Sequence, residues 1–125
     1  MSRFEITDLG LGVKAIKLIA RADARGSLTR LFCSQELAAM GWLKPIAQVN
    51  WVETKNCGTL RGMHYQAAPF AENKILFCMA GEIHDVAVDV RQGSKSLLHH
   101  VAVNLSGPRV KGYSSPLALP MDINA

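Results

Sequence analysis

The sequence lacks most of the features that would assign it quickly. Cysteine is scarce: the 125 residues include three, Cys33, Cys57 and Cys78. The count is odd and no pair has CxxC spacing, which argues against a disulfide framework and against a zinc site. Cys33 and Cys78 lie in apolar runs and read as buried thiols, whereas Cys57 sits at a turn beside Gly58. No apolar run has membrane-spanning length; the longest, near residues 75–80, is strand-sized. The first residues, Met1-Ser2-Arg3-Phe4-Glu5, carry no apolar signal-peptide core, so a cytoplasmic location and no membrane partner are expected. There is no block of Lys and Arg, and no basic stretch interleaved with aromatics, which disfavours nucleic acid. The net charge of +4 suits a small anionic ligand, or simply describes a mildly basic surface. Internal repeats, linkers and low-complexity segments are also missing. With 49% hydrophobic residues, the chain has the content of one globular domain.

What is present is a succession of short strand-like segments. Residues 13–20 alternate loosely, and residues 21–26 form a polar turn broken by Asp23 and Gly26. Residues 28–33 alternate as a strand should. Ser34 then reads as the cap of a short helix over residues 35–40, with Gly41 as its stop. Residues 47–53 read as a strand with Gln48 and Asn50 on one face. Asn56-Cys57-Gly58 is a turn, and residues 67–73 form a loop around Pro69. Residues 74–80, 83–90 and 99–105 are further strands. In residues 83–90, Val86, Val88 and Val90 share one face, with Asp85 and Asp89 on the other. Many short strands with one short helix predict an all-β antiparallel sandwich or small barrel.

The segment Gly58-Thr59-Leu60-Arg61-Gly62-Met63-His64-Tyr65-Gln66 stands out. It concentrates a guanidinium, an imidazole, a phenol and a carboxamide in what otherwise reads as a strand with a wet polar face. Gly58 and Gly62 lie where a side chain would block a bulge or a ligand's approach. Two other segments accompany it, Asp23-Ala24-Arg25-Gly26 and Asp85-Val86-Ala87-Val88-Asp89-Val90-Arg91. In this order and spacing the three resemble the dTDP-4-dehydrorhamnose 3,5-epimerase family, from about Asp23 to Ser106. The resemblance implies a cupin-type antiparallel β-sandwich, or jelly-roll barrel. It also implies epimerisation of dTDP-4-dehydro-6-deoxyglucose at C3 and C5, toward dTDP-rhamnose. A related ketoisomerase acting on the same substrate class, and a non-catalytic nucleotide-sugar-binding remnant, are the competing readings.

The first cupin metal motif has the form G, five residues, H-x-H, then a Glu and later a Gly. Gly58 and His64 have this spacing, and Glu72 and Gly81 follow at loosened spacing, but Gln66 stands at the second histidine position. A neutral carboxamide is a poor transition-metal ligand beside imidazole, so neither a metal nor another cofactor is expected.

Epimerisation next to a ketone needs a base, a group that stabilises the enolate, and an acid on the opposite face. Histidine suits the first role because its unperturbed pKa is about 6.5. The resemblance assigns the base to His64 and the enolate-stabilising cation to Lys74, which opens the next strand. Electrostatic stabilisation of the enolate oxygen is what an ammonium can supply. Arg61 would grip the substrate's phosphates through its planar fork. Gln48 and Asn50 would bind nucleotide or sugar. Arg25 would reach the nucleotide of a neighbouring subunit, implying a homodimer. Plainer readings compete: His64 as a core histidine, Lys74 as a strand-edge lysine, Arg25 as a solvated turn residue. Asp85 and Asp89 read as orienting partners or facing solvent. The sequence departs from the family at Leu28, where an aromatic is usual, at Arg30, where many members have Glu, and at His84.

After Ser106 the resemblance stops. The family continues with a P-x-G-x-x-H-G segment, a tyrosine acid and an aspartate that partners the base. Here residues 107–125 contain three prolines and no clear period, a poor strand or helix. Tyr113 precedes the position expected for the tyrosine acid and lies in this altered segment, so it is not expected to serve as that acid. Codons for Met121-Asp122-Ile123-Asn124-Ala125, read one base earlier, can encode His-Gly-Tyr-Gln-Cys, and Ser114-Ser115-Pro116 shifted likewise can encode Phe-Pro. The expectation is a cupin domain over residues 1–106, incomplete at its C-terminus, followed by a divergent tail read in a shifted frame.

Overall fold

The turn Gly10-Leu11-Gly12 opens the fold by reversing the chain through three positive φ angles, 86°, 58° and 79°. It joins β1 (Phe4–Gly10) to β2 (Val13–Leu18), an antiparallel hairpin in register at Ile6 opposite Ile16. A computed structural model describes residues 2–107 and, as backbone alone, residues 117–122. A second hairpin, β3 (Ala20–Asp23) and β4 (Gly26–Thr29), follows. Then come the single helix α1 (Ser34–Ala38), β5 (Asn73–Phe77), β6 (Glu82–Val88), β7 (His100–Ser106) and β8 (Leu117–Asp122). The strands form a four-stranded sheet ordered β1-β2-β8-β5 and two pairs, β3-β4 and β6-β7, all antiparallel. The all-β expectation with one short helix is met.

β2 is the centre of packing because both of its faces are covered. Val13 and Ala15 pack against Ala87 of β6, with Leu9, Leu11, Val101 and Val103 around them. Ile16 and Leu18 pack on the other side with Phe4 and Leu37 of α1. Phe32 and Trp42 extend that side, their rings edge to face with centroids 6.1 Å apart. Burial of Ile16, Leu18 and Leu37 to 1% exposure or less stabilises the fold by about 1.5–3 kcal/mol per side chain.

α1 starts differently from expectation. Cys33, not Ser34, holds the cap position, and it makes no side-chain cap. The stop at Gly41 stands: its φ is +101°, and the N–H of Trp42 reaches back to Leu37 O at 3.1 Å. That closure satisfies a terminal carbonyl and places Trp42 beside the helix.

Several strands differ too. The expected strand over residues 13–20 is β2 followed by β3, and the one over residues 28–33 ends at Thr29. Residues 47–53 and 58–66, both read as strands, lie in no ladder. Their alternation is strand-like, but a ladder needs a partner edge, and none lies alongside them among the described residues. Their apolar side chains stay exposed, Leu60 at 91% and Val49 at 85%. Conversely, the proline-rich tail does supply a strand. Pro120 lies opposite Ile75 of β5, while β2 pairs β8 only at Ala118 and Leu117. A missing N–H is tolerated where a strand has a neighbour on one edge only. In β6 the inward face carries Ala87 and, just beyond the strand, Asp89, each 5% exposed, rather than the valines. Asp89 can turn inward because its own loop satisfies it. It accepts from Arg91 Nε and Nη2 and from the Ser94 and Ser96 hydroxyls at 2.7–2.9 Å.

Candidate functional site

The segment around His64 is organised by local hydrogen bonds rather than by a sheet. Asn56-Cys57-Gly58 turns as expected, with Gly58 at φ +77°, and Thr59 Oγ1 donates to Asn56 O at 2.7 Å. Arg61 Nη2 donates to Thr54 Oγ1 at 3.0 Å, tying this segment to the preceding one. A Cβ at Gly62 would meet nothing within 4 Å among the described residues.

His64 is exposed, and its Nδ1 lies 3.0 Å from Gly62 O. A carbonyl oxygen only accepts, so Nδ1 carries the proton in that bond. In the neutral ring the lone pair is then on Nε2. The local backbone thereby selects the tautomer whose other nitrogen can take a proton.

Both near neighbours of the Gln66 side-chain amide are acceptors, so the amide is oriented with its nitrogen toward them; in that orientation Gln66 donates to Phe70 O and to Glu72 Oε1, each at 3.0 Å. The same Glu72 oxygen lies 3.4 Å from Lys74 Nζ on β5. Among the described residues no group of three or more His, Cys, Asp or Glu side chains is placed to hold a metal ion.

The remaining expected residues are spread out. Arg25 sits at the tip of the β3-β4 hairpin with its side chain 90% exposed. Its Nη2 donates to Asp23 Oδ2 at 2.8 Å, and its N–H to Asp23 Oδ1 at 2.8 Å. The Arg25 guanidinium holds the Asp23 carboxyl below the usual carboxylate range. Gln48 and Asn50 are exposed, and among the described residues neither side chain forms a hydrogen bond. The structure thus joins Gln66 to Lys74 through Glu72, and Arg61 to residue 54. It leaves Arg25 on its own hairpin.

Two carboxylates gain meaning from the fold. In the sequence Glu72 follows the H-x-H positions only at a loosened version of the cupin motif's spacing; the path of residues 66–74 brings Gln66 and Lys74 onto it. Asp85 is about half buried, with Oδ2 unpartnered among the described residues, and burial raises its pKa. Its signal in the sequence was a carboxylate inside an apolar strand. Tyr113 and residues 114–116 lie outside the described residues.

The family model for dTDP-4-dehydrorhamnose 3,5-epimerase matches residues 9–113, a span that contains Arg25, Gln48, Asn50, Arg61, His64 and Lys74. The chain belongs to the dTDP-4-dehydrorhamnose 3,5-epimerase family. The match begins before Asp23 and runs past Ser106, so the family pattern is longer than its three motifs suggest. A relative of that name from Sinorhizobium fredii is 35% identical over 105 residues, covering 77% of this chain and 51% of the relative. The crystal structure of the epimerase from Sulfolobus tokodaii superposes with a TM-score of 0.84 at 32% identity, over 96% of this chain and 64% of that one. A Legionella pneumophila 3,5-epimerase, solved in complex with dTDP-4-keto-L-rhamnose, gives 0.83 at 28% identity over 97% and 61%. The chain spans about half or less of the length of the curated relatives it matches. The likeness to these structures agrees with the expected cupin-type antiparallel β fold.

Proposed function

We propose that this chain acts on a dTDP-4-keto-6-deoxy sugar and inverts it at C3 and C5 by proton abstraction next to the ketone. His64 is the base. Its Nε2 takes the proton from carbon, and the electron pair moves through the carbonyl to leave an enolate oxygen. Lys74 stabilises that oxygen; a fixed ammonium beside a developing anion lowers the barrier without reorganising at the moment of reaction. Return of a proton to the opposite face, from an acid or from water, completes the inversion. Arg61, Gln48 and Asn50 bind the nucleotide diphosphate and sugar. Membership in the family supports this reading. The observation that carries it is the Nδ1 bond from His64 to Gly62 O, which leaves the basic nitrogen open.

The reading includes a homodimer in which Arg25 reaches the neighbouring subunit's site, and a cytoplasmic setting. Exposure of the β3-β4 hairpin and of Val49, Trp51, Leu60 and Met63 supports a covering subunit, since apolar patches of this kind mark interfaces. No helix of the described residues is long and apolar enough to cross a membrane.

Incubation with dTDP-4-dehydro-6-deoxyglucose in deuterium oxide tests the proposal. Deuterium at C3 and C5 is the expected result. Migration of the keto group would instead describe a ketoisomerase, and binding without exchange a nucleotide-sugar-binding protein.

A further inference from the structure

A reacting base and the cation that answers it must be held in register, because small misplacements are costly in rate. Backbone ladder bonds do this for Lys74, which sits within β5. They do not do it for His64, whose segment lies in no ladder. Among the described residues, the hydrogen bonds that connect that segment to β5 run through Glu72. One oxygen, Oε1, accepts from the Gln66 amide at 3.0 Å and pairs with Lys74 Nζ at 3.4 Å. The second Gln66 bond, to Phe70 O, pins the amide so that it faces Glu72. His64 is two residues from Gln66, a tether too short to let the imidazole wander far from the amide.

We infer that Glu72 is a positioning residue: its carboxylate locks Gln66, and with it the segment bearing His64, against the ammonium of Lys74. The inference rests on the epimerase reading for its kinetic consequence but not for its geometry. Glu72 does not touch the reacting carbons in this account. It sets the distance between the group that removes the proton and the group that stabilises the resulting charge. A carboxylate suits the task because it accepts from two donors on one oxygen and attracts the cation besides.

Two experiments test it. The first compares wild type, Glu72→Ala and Glu72→Gln for deuterium exchange into dTDP-4-dehydro-6-deoxyglucose, with KM and kcat measured separately. Glu72→Ala is expected to lower kcat by about 10- to 100-fold, the cost of a misplaced reacting group, with KM unchanged. Glu72→Gln restores part of the loss, because its carboxamide oxygen can still accept from Gln66. Exchange by Glu72→Ala at the wild-type rate overturns the inference, and so does a loss that Glu72→Gln does not relieve. The second experiment needs no activity. In NMR spectra the Gln66 side-chain amide and the His64 ring signals of Glu72→Ala should shift away from those of wild type, with the Gln66 amide exchanging faster with solvent. If wild type shows no exchange into the sugar, the epimerase reading fails and this comparison decides the positioning claim alone. A shift of both sets of signals supports the claim, and unchanged Gln66 and His64 signals overturn it.

Discussion

Replacing Gly107 by alanine should damage the fold far more than the same change in the signature segment. Gly107 is buried at the end of the β6-β7 pair, and its N–H donates to Gly81 O at 2.9 Å. A Cβ built there would lie 2.5 Å from Ala80 Cα, 2.6 Å from Ala80 N and 2.7 Å from the Met79 carbonyl carbon. All three are backbone atoms, so no side chain can swing aside. Overpacking of this kind costs about 1–3 kcal/mol. If the strands separate, the hydrogen bond is lost too, for about another 0.5–1.5 kcal/mol. Taking about 3 kcal/mol in total and a urea slope of about 2 kcal/mol/M for a small domain, the unfolding midpoint should fall by about 1.5 M. Gly62→Ala is the control. A Cβ there meets nothing within 4 Å and its φ is not positive, so the effect should stay within about 0.5 kcal/mol. Urea unfolding followed by circular dichroism measures both. Equal midpoints for the two variants would refute the reasoning, because the close approach of Gly107 to Ala80 would then carry no energetic weight.

Leu105 has 0% exposure, and Leu105→Ala should cost about 2–5 kcal/mol in the same assay; a loss below 1 kcal/mol would mean that the site collapses freely. Asp89 is held far below the ordinary carboxylate range, first by Arg91 and then by Ser96 and Ser94. A carboxylate depressed by folding contributes stability above its unfolded value, about 3.9, and loses it as pH falls further. Asp89→Asn should therefore be less stable than wild type at pH 7 and should lose less on acidification; parallel pH profiles would contradict this. Asp85 has the opposite sign. Burial raises its pKa, so its charge opposes folding near neutrality and the cost disappears as it is protonated. Asp85→Asn should raise the unfolding midpoint at pH 7 and converge on wild type in acid; a lower midpoint at pH 7 would show that the carboxylate has a stabilising partner.

The parts of the fold legible in the sequence were those set by neighbours in the chain. The glycines at 41 and 58 mark their turns because their backbone takes positive φ. The alternation through β6 and β7 locates both strands. Which face of β6 turns inward was not legible, because an aspartate on that face looks costly until the bonds from Arg91, Ser94 and Ser96 are in view. Residues 47–53 and 58–66 have strand composition, but a ladder is a property of two segments and composition describes only one. β8 was missed for the converse reason: its proline argues against a strand until the one-sided pairing is known. At the site, the residue types around His64 announced proton chemistry. The tautomer of His64 and the junction at Glu72 depend on loop paths that no pattern encodes.

The central claim is that His64 removes the proton. Wild type and His64→Ala, incubated side by side with dTDP-4-dehydro-6-deoxyglucose in deuterium oxide, test it most directly by proton NMR of the sugar. The account predicts loss of the C3 and C5 proton signals with wild type and their retention with His64→Ala. Exchange by His64→Ala at the wild-type rate would contradict it.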